Sequence, residues 1–254
     1  MLLNVGSSLC LCHAGPVSTP ARSRSASLRE RNRADLVAEI LEQGRRQLAS
    51  EGAAALSLRA IARELGMASS AVYRYVASRD DLLTLLIVDA YNSIGGAVER
   101  AVAGARDPHA RWQAFCSSLR SWSLAHPHEY ALIYGSPVPG YVGNDSTTAA
   151  AVRATTVLAS ILRESGDGRA ARADGPPPAI LDAEIAILLA SPVFAAPDGS
   201  PAAIPASQLV RGLMAWTQLF GFISFELGGQ FANSVTHPDV LFAHIVDLLA
   251  ADIL

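Results

Sequence analysis

Apolar residues first recur at helical spacing from about Asn32. Leu36, Ile40, Leu41 and Leu48 lead up to Ser50-Glu51-Gly52, where Gly52 reads as a C-terminal stop. Ser57 then stands before a short amphipathic run, Leu58 to Leu65. Its hydroxyl suits an N-cap, because it can accept from an N–H that the helix leaves without a partner. Gly66 closes that run, and a second short helix is expected over Ser69 to Tyr75. Ser78 is placed to cap a longer helix with apolar positions Leu82, Leu83, Leu86 and Ile87, running to about Ala103. Asp80 and Asp81 in its first turn suit the helix dipole.

Beyond Asp107-Pro108 the pattern predicts helices over 109–125, 127–133, 144–165, 180–189, 207–227 and 238–254. Gly135, Pro137, Pro139 and Gly140 make the intervening 135–141 stretch a loop. Residues 166–178 read as a linker and 192–205 as irregular. With no strand pattern and no tandem repeat, the expected fold is all-α: an N-terminal three-helix module containing a helix-turn-helix, then a helical C-terminal domain. Residues 1–28, rich in Gly, Ser, Pro and Thr and without period, are expected to be a disordered basic tail. The helix-turn-helix module is expected over 29–77 and the second domain over 78–254.

Composition narrows the function. The chain has 254 residues, 50% of them hydrophobic, which is enough to bury a core and excludes a mostly disordered protein. It contains no run of 18 continuous apolar residues. The best membrane candidate, Gly212 to Phe225, is short and flanked by Arg211 and Glu226, so no membrane partner and a cytoplasmic location are expected. The net charge of −3 conceals a division. Eleven arginines face six acidic residues up to Arg79, a balance of +5; beyond it nine face seventeen, a balance of −8. A basic module ahead of an acidic one points to a polyanionic partner such as nucleic acid, although ordinary surface charge would give the same balance.

Other chemistries find little support. Cys10-Leu11-Cys12-His13 offers fewer than four ligands and no second pair, so no metal is expected, and three cysteines do not build a disulfide framework. Gly95-Gly96 has neither the spacing nor the lysine of a phosphate loop. Cys116 stands alone, and His126, His128 and His237 beside prolines read as caps or surface residues. No catalysis and no cofactor are expected.

The two short helices have the size of a helix-turn-helix. Ile61, Ala62, Leu65 and Val72 supply close packing, Gly66 permits the turn, and Ser69, Ser70, Tyr73 and Arg74 face outward. Any helical hairpin could share that spacing; the residues themselves say more. The stretch SLRAIARELGMASSAVYRYVASRDDLL, Ser57 to Leu83, closely resembles the DNA-binding segment of the TetR family of bacterial repressors. Arg59, Ile61, Ala62, Leu65, Gly66, Tyr73, Ser78, Asp80, Leu82 and Leu83 match in one gapless register. Three positions depart from the family pattern. Ala68 replaces the usual Ser or Thr cap, so that Ser69 is expected to cap instead; Val76 replaces Phe; Arg79 replaces Lys.

The resemblance implies a regulator whose second short helix enters the major groove of a double-stranded operator. Arg59, Tyr73 and Arg79 would hold phosphates, Ser69, Ser70 and Arg74 would reach base edges, and Tyr75 is a further DNA-binding candidate. Arg22, Arg24 and Arg29 form a basic arm suited to phosphates. The acidic remainder would bind an effector and dimerise. Segments 126–141 and 216–221 resemble the family's subgroup named for Trp, His and Gly; Trp216 and Gly221 match, while Phe220 stands in the His position. Trp112, Phe115, Trp122, Tyr130, Tyr134, Tyr141, Trp216 and Phe220 are candidates to line a cavity for a hydrophobic small molecule, or else fill the core.

Leu209, Leu213, Trp216, Phe220, Ile223 and Leu227 make one stripe, and Val240, Leu241, Ile245, Leu248 and Leu249 another; the resemblance implies that such paired helices form a homodimer seam, the alternative being that both are wholly intramolecular. The expected function is a repressor released from a palindromic operator by its ligand, with an activator, or a regulator without an inducer, as the alternative and a helical enzyme of unknown reaction as a remote one. The helix starting at Ser78 would act as the lever between ligand and DNA.

Overall fold

The computed structural model describes residues 24–165, 177–195, 200 and 204–254. Among these the chain forms α-helices and short 3-10 turns, and no strand: α1 (Arg24–Glu51), α2 (Leu58–Glu64), α3 (Ser69–Val72), α4 (Arg79–Ala103), α5 (Pro108–Ala125), α6 (Pro127–Tyr134), α7 (Asp145–Ser165), α8 (Asp182–Leu189), α9 (Ala206–Leu227) and α10 (Pro238–Ile253). The Cys10–His13 segment, Arg22 and most of the 166–178 linker lie outside the described residues.

Helix boundaries follow local chemistry. The Ser57 hydroxyl accepts from the Ala60 N–H and the Ser78 hydroxyl from the Asp81 N–H, so both expected caps form. Asp107 caps α5 in the same way, with Pro108 at the first helical position where its missing N–H costs nothing. Two expectations are corrected. Helix α1 begins at Arg24 rather than beyond residue 28, because no Gly or Pro after Pro20 interrupts the run. Helix α3 is only four residues long, and Ala68, without a side-chain bond, occupies its cap position; Ser69 is the first helical residue and not the cap.

The apolar residues separate into two cores. One joins Ile40, Leu56, Leu58, Ile61, Ala62, Val72 and Val76 to Leu82, Leu83, Leu86 and Ile87. The other contains Ala90, Ile94, Val98 and Val102 with α5, α7, α9 and α10. Helix α4 therefore belongs to both, and the division expected at 77/78 is corrected: the first turns of α4 complete the N-terminal core. This helix, and not the short 212–225 run, is long and apolar enough to cross a membrane by length and composition, with half of its apolar window buried inside the protein. Its apolar faces are taken by α5, α6, α7 and α1.

Gly95 and Gly96, both buried, mark where α7 crosses α4. A Cβ on Gly95 would stand 2.7 Å from the Arg153 Cβ, so this pair is a crossing point of helices. Arg153 then reaches along α4, binding Glu99 at 2.6 and 2.9 Å and the Asn92 side-chain oxygen at 2.8 Å. Buried Gln208 at the start of α9 donates to the Leu162 carbonyl at 2.9 Å, satisfying an acceptor near the end of α7.

Candidate DNA interface and effector pocket

The outward surface of the helix-turn-helix is set by what α2 and α3 bury. Leu58, Ile61 and Ala62 turn inward from α2 and fully buried Val72 does so from α3. Gly66 takes φ +64°, a conformation costly for a residue with a Cβ, and lets the Met67 N–H donate to the Ala62 carbonyl at 2.8 Å. Gln47 of α1 accepts from the Ser57 N–H at 3.0 Å, fixing where α2 starts. Val76, 1% exposed, is a sufficient plug for the module despite being smaller than Phe.

With those side chains inside, Arg59, Ser70, Tyr73 and Arg74 are exposed, and Ser69 and Tyr75 are half-buried. Arg33 of α1 lies over the Tyr75 ring, 5.4 Å from its centroid. Sequence reasoning missed Arg33; its only signal was its place in the arginine-rich start of α1. Arg79 is oriented differently from the rest. Its guanidinium donates to the Ala53 carbonyl at 2.8 Å and the Ala54 carbonyl at 3.4 Å, turning toward the protein instead of standing free for a phosphate.

The eight aromatic candidates do not form one lining. Trp112 and Phe115 are fully buried, and the Trp112 indole donates to the Val246 carbonyl at 2.8 Å, so both are core residues. Trp122 faces a different region: its indole donates to Ser93 at 2.8 Å and His126 stacks on it at 4.9 Å, beside an open polar cleft that also involves Glu42, Arg45 and Asp89. Tyr141 packs on the N-terminal core, with its hydroxyl 2.9 Å from that of Thr84. These positions correct the single-cavity expectation. An apolar stripe reports burial, and core and cavity wall demand the same residue types.

The remaining four do meet. Trp216 lies 4.4 Å from Phe220, Phe220 4.4 Å from Tyr134, and Tyr130 5.3 Å from Tyr134. Tyr91 of α4 joins them edge-on to Tyr134 at 5.9 Å, and its hydroxyl donates to the Ile133 carbonyl. Burial pushes the phenols of Tyr91, Tyr130 and Tyr134 above the ordinary tyrosine range, most strongly at Tyr134, where the neighbouring phenols add to the effect. Trp216 also forms one wall of an apolar cavity of about 130 Å³ with Thr155, Leu158, Leu162, Phe194, Leu209, Gly212 and Leu213. Arg163 holds Phe194 in place by donating to its carbonyl and to that of Ala195. The α7 side of this cavity was not anticipated, although Leu158 and Leu162 are one helical turn apart. Cys116 is buried in α5, and burial raises its thiol well above the usual value, which disfavours the reactive thiolate.

A helix-turn-helix with its own core, its polar face outward, joined by one long helix to a larger helical domain, defines a DNA-binding transcriptional regulator. Comparison with known proteins gives the family. A model described as "Bacterial regulatory proteins, tetR family" matches residues 40–86, and one described as "Tetracyclin repressor-like, C-terminal domain" matches 112–249. The HTH-type transcriptional regulators Rv1816 of Mycobacterium tuberculosis and Mb1846 of Mycobacterium bovis are each 40% identical over 230 residues, covering 86% of this chain and 92% of theirs. The crystal structure of regulatory protein SCO4313 superposes with TM-score 0.70 at 36% identity, covering 87% of this chain and 98% of that one. The chain belongs to the TetR family of transcriptional regulators, which are not enzymes.

Proposed function

We propose that the protein is a homodimeric repressor that leaves a palindromic operator when a hydrophobic small molecule binds its C-terminal domain. The observation that carries the DNA-binding half is the exposure of Ser70, Tyr73 and Arg74 on a recognition helix held from behind by fully buried Val72. Ser69, Ser70 and Arg74 read base edges, while Arg59, Tyr73 and Tyr75, with Arg33 over its ring, follow the phosphates. Such a protein works in the cytoplasm, where its DNA is.

Dimerisation is supported by apolar residues that α9 and α10 leave exposed. Met214 and Phe225 are each 54% exposed, Val240 63% and Leu248 56%. In α9 the expected stripe turns Leu209 and Ile223 into the core, while Met214, Gly221 and Phe225 form the flanking face that a second copy would cover.

The effector site is the apolar cavity beside Trp216. Its 130 Å³ is below the range of about 300–1,000 Å³ usual for ligand pockets, so a larger effector must displace Trp216. Trp216 contacts Phe220, which contacts Tyr134, which contacts Tyr91 on α4. Its displacement therefore bears on the lever through rings in direct contact. Trp216 and Gly221 also support assignment to the Trp-His-Gly subgroup, with Phe220 as the departure. Selection of bound DNA from a random pool tests the operator, and a compound screen for release tests the effector. Recovery of a two-fold symmetric site, bound by wild type and not by Arg74→Ala, is the expected result. Failure of the dimeric protein to enrich any sequence would sink the proposal.

A further inference from the structure

Arg79 occupies the position where the family pattern has a lysine, and sequence alone assigned it to a phosphate. Its surroundings assign it another task. The 3-10 turn Ala53–Ala55 is the short connection between α1 and α2, and within it the Ala53 carbonyl accepts only a long 3.5 Å bond from the Leu56 N–H. The Arg79 Nη2 donates to both, at 2.8 and 3.4 Å, across 26 and 25 residues of chain. Asp80, next in sequence, pairs with Nη1 at 3.4 Å. The guanidinium is thus clasped between the first turn of α4 and the segment from which the helix-turn-helix departs. A planar fork with several donors can bridge two carbonyls; a lysine ammonium at the end of a flexible stem is a point charge without that preset geometry.

We propose that Arg79 is a positioning residue: it ties the N-terminus of α4 to the turn leading into α2, so that the recognition helix follows α4 as one body. The tie acts beside the shared apolar core. Leu82 and Leu83 anchor the first turns of α4 against Ile61 and Val72, and Arg79 fixes the approach to α2 from the other side. Without the tie, the 3-10 turn has fewer partners and the recognition helix samples a wider set of poses. A family lysine would keep the charge near the DNA; this arginine uses its charge on backbone acceptors.

The inference rests on operator binding as proposed above, but the two fail differently. If wild type binds no operator, the DNA-binding proposal falls; the role of Arg79 is decided by the difference between wild type and variants. The experiment measures operator affinity of wild type, Arg79→Ala and Arg79→Lys across a series of salt concentrations, with circular dichroism confirming that each variant is folded. Arg79→Ala is expected to bind about tenfold more weakly at every salt concentration, with an unchanged slope of log K against log salt. Arg79→Lys is expected to fall between the two, since one ammonium can hold a single carbonyl.

A phosphate ligand would behave otherwise. Its loss lowers the magnitude of the slope by about 0.9 per protomer, about 1.8 for the dimer, and lysine restores both slope and affinity in full. That pattern overturns the proposal, as does wild-type affinity in Arg79→Ala. If Arg79→Ala does not fold, the lysine variant decides alone: weakened binding with an unchanged slope supports the tie, and full wild-type affinity refutes it.

Discussion

The Arg120–Glu226 pair allows a quantitative test of what joins α5 to α9. The guanidinium meets the carboxylate with two contacts, at 2.7 and 2.5 Å, and lies 5.2 Å from the Phe242 ring centroid. The hydrogen bonds it donates to Glu226, and that carboxylate's charge, hold Arg120 above the usual arginine range, against the opposing effect of burial. The side chains keep only 16% and 13% of their surface in water. At an effective dielectric near 20, two charges about 4 Å apart attract by about 4 kcal/mol, and desolvation offsets part of this. Breaking a fully buried pair costs about 3–5 kcal/mol; with residual solvent screening here, Glu226→Gln or Arg120→Met should each cost about 2–3 kcal/mol. The double variant leaves no unpaired charge, so it should cost less than the two singles together by about 1.5 kcal/mol. Urea unfolding measures all four proteins at one fixed protein concentration, because the stability of an oligomer would depend on concentration. Single costs below about 1 kcal/mol, or strict additivity, would refute the account.

Three other outcomes follow from the same structure. Trp112→Phe should lower stability by about 2 kcal/mol through a lost indole bond and a small void, while leaving effector response at saturating ligand intact; an unchanged melting temperature with altered ligand release would return Trp112 to the pocket. Gly95→Val should cost about 2 kcal/mol or more in thermal unfolding, since its Cβ would collide with Arg153 at the α4–α7 crossing and branching adds bulk; a neutral result would mean the helices separate freely. Because Tyr91, Tyr130 and Tyr134 have raised pKa values, their contribution to stability is full below the unfolded tyrosine value, about 10, and is lost as pH rises past it toward the folded values. Melting temperatures between pH 9 and 11.5 should therefore fall, and less steeply in Tyr134→Phe; parallel curves would exclude Tyr134 as a contributor.

Local chemistry was the legible part of this sequence. Ser57, Ser78 and Gly66 act within a few residues of themselves, and each does what its type predicts. Of the set read as outward, Ser70, Tyr73 and Arg74 are exposed, as the helical spacing of the inward residues implies, while Ser69 is half-buried. Long-range geometry was not readable. Nothing near Arg79 in sequence announces carbonyls at Ala53 and Ala54, and nothing near Tyr141 announces Thr84. Trp112 and Trp216 look alike in their local patterns; only the path of α10, which brings the Val246 carbonyl to Trp112, distinguishes a core residue from a cavity wall. Gly95-Gly96 was noticed and found unsuited to phosphate, but its reason, a close helix crossing, needed the partner helix.

The sharing of α4 between two cores has a consequence for how the molecule comes apart. A fragment ending at residue 77 would lack Leu82 and Leu83, which are fully buried, and with them one wall of its interior. The recognition module is therefore not an autonomous folding unit with a tether; its last quarter is the near end of a rod whose far end is embedded elsewhere. Melting of either core unravels the scaffold of the other, which favours a single cooperative transition over stepwise loss. A regulator built this way has no half-folded form that keeps its grip on DNA after its sensing half has been lost.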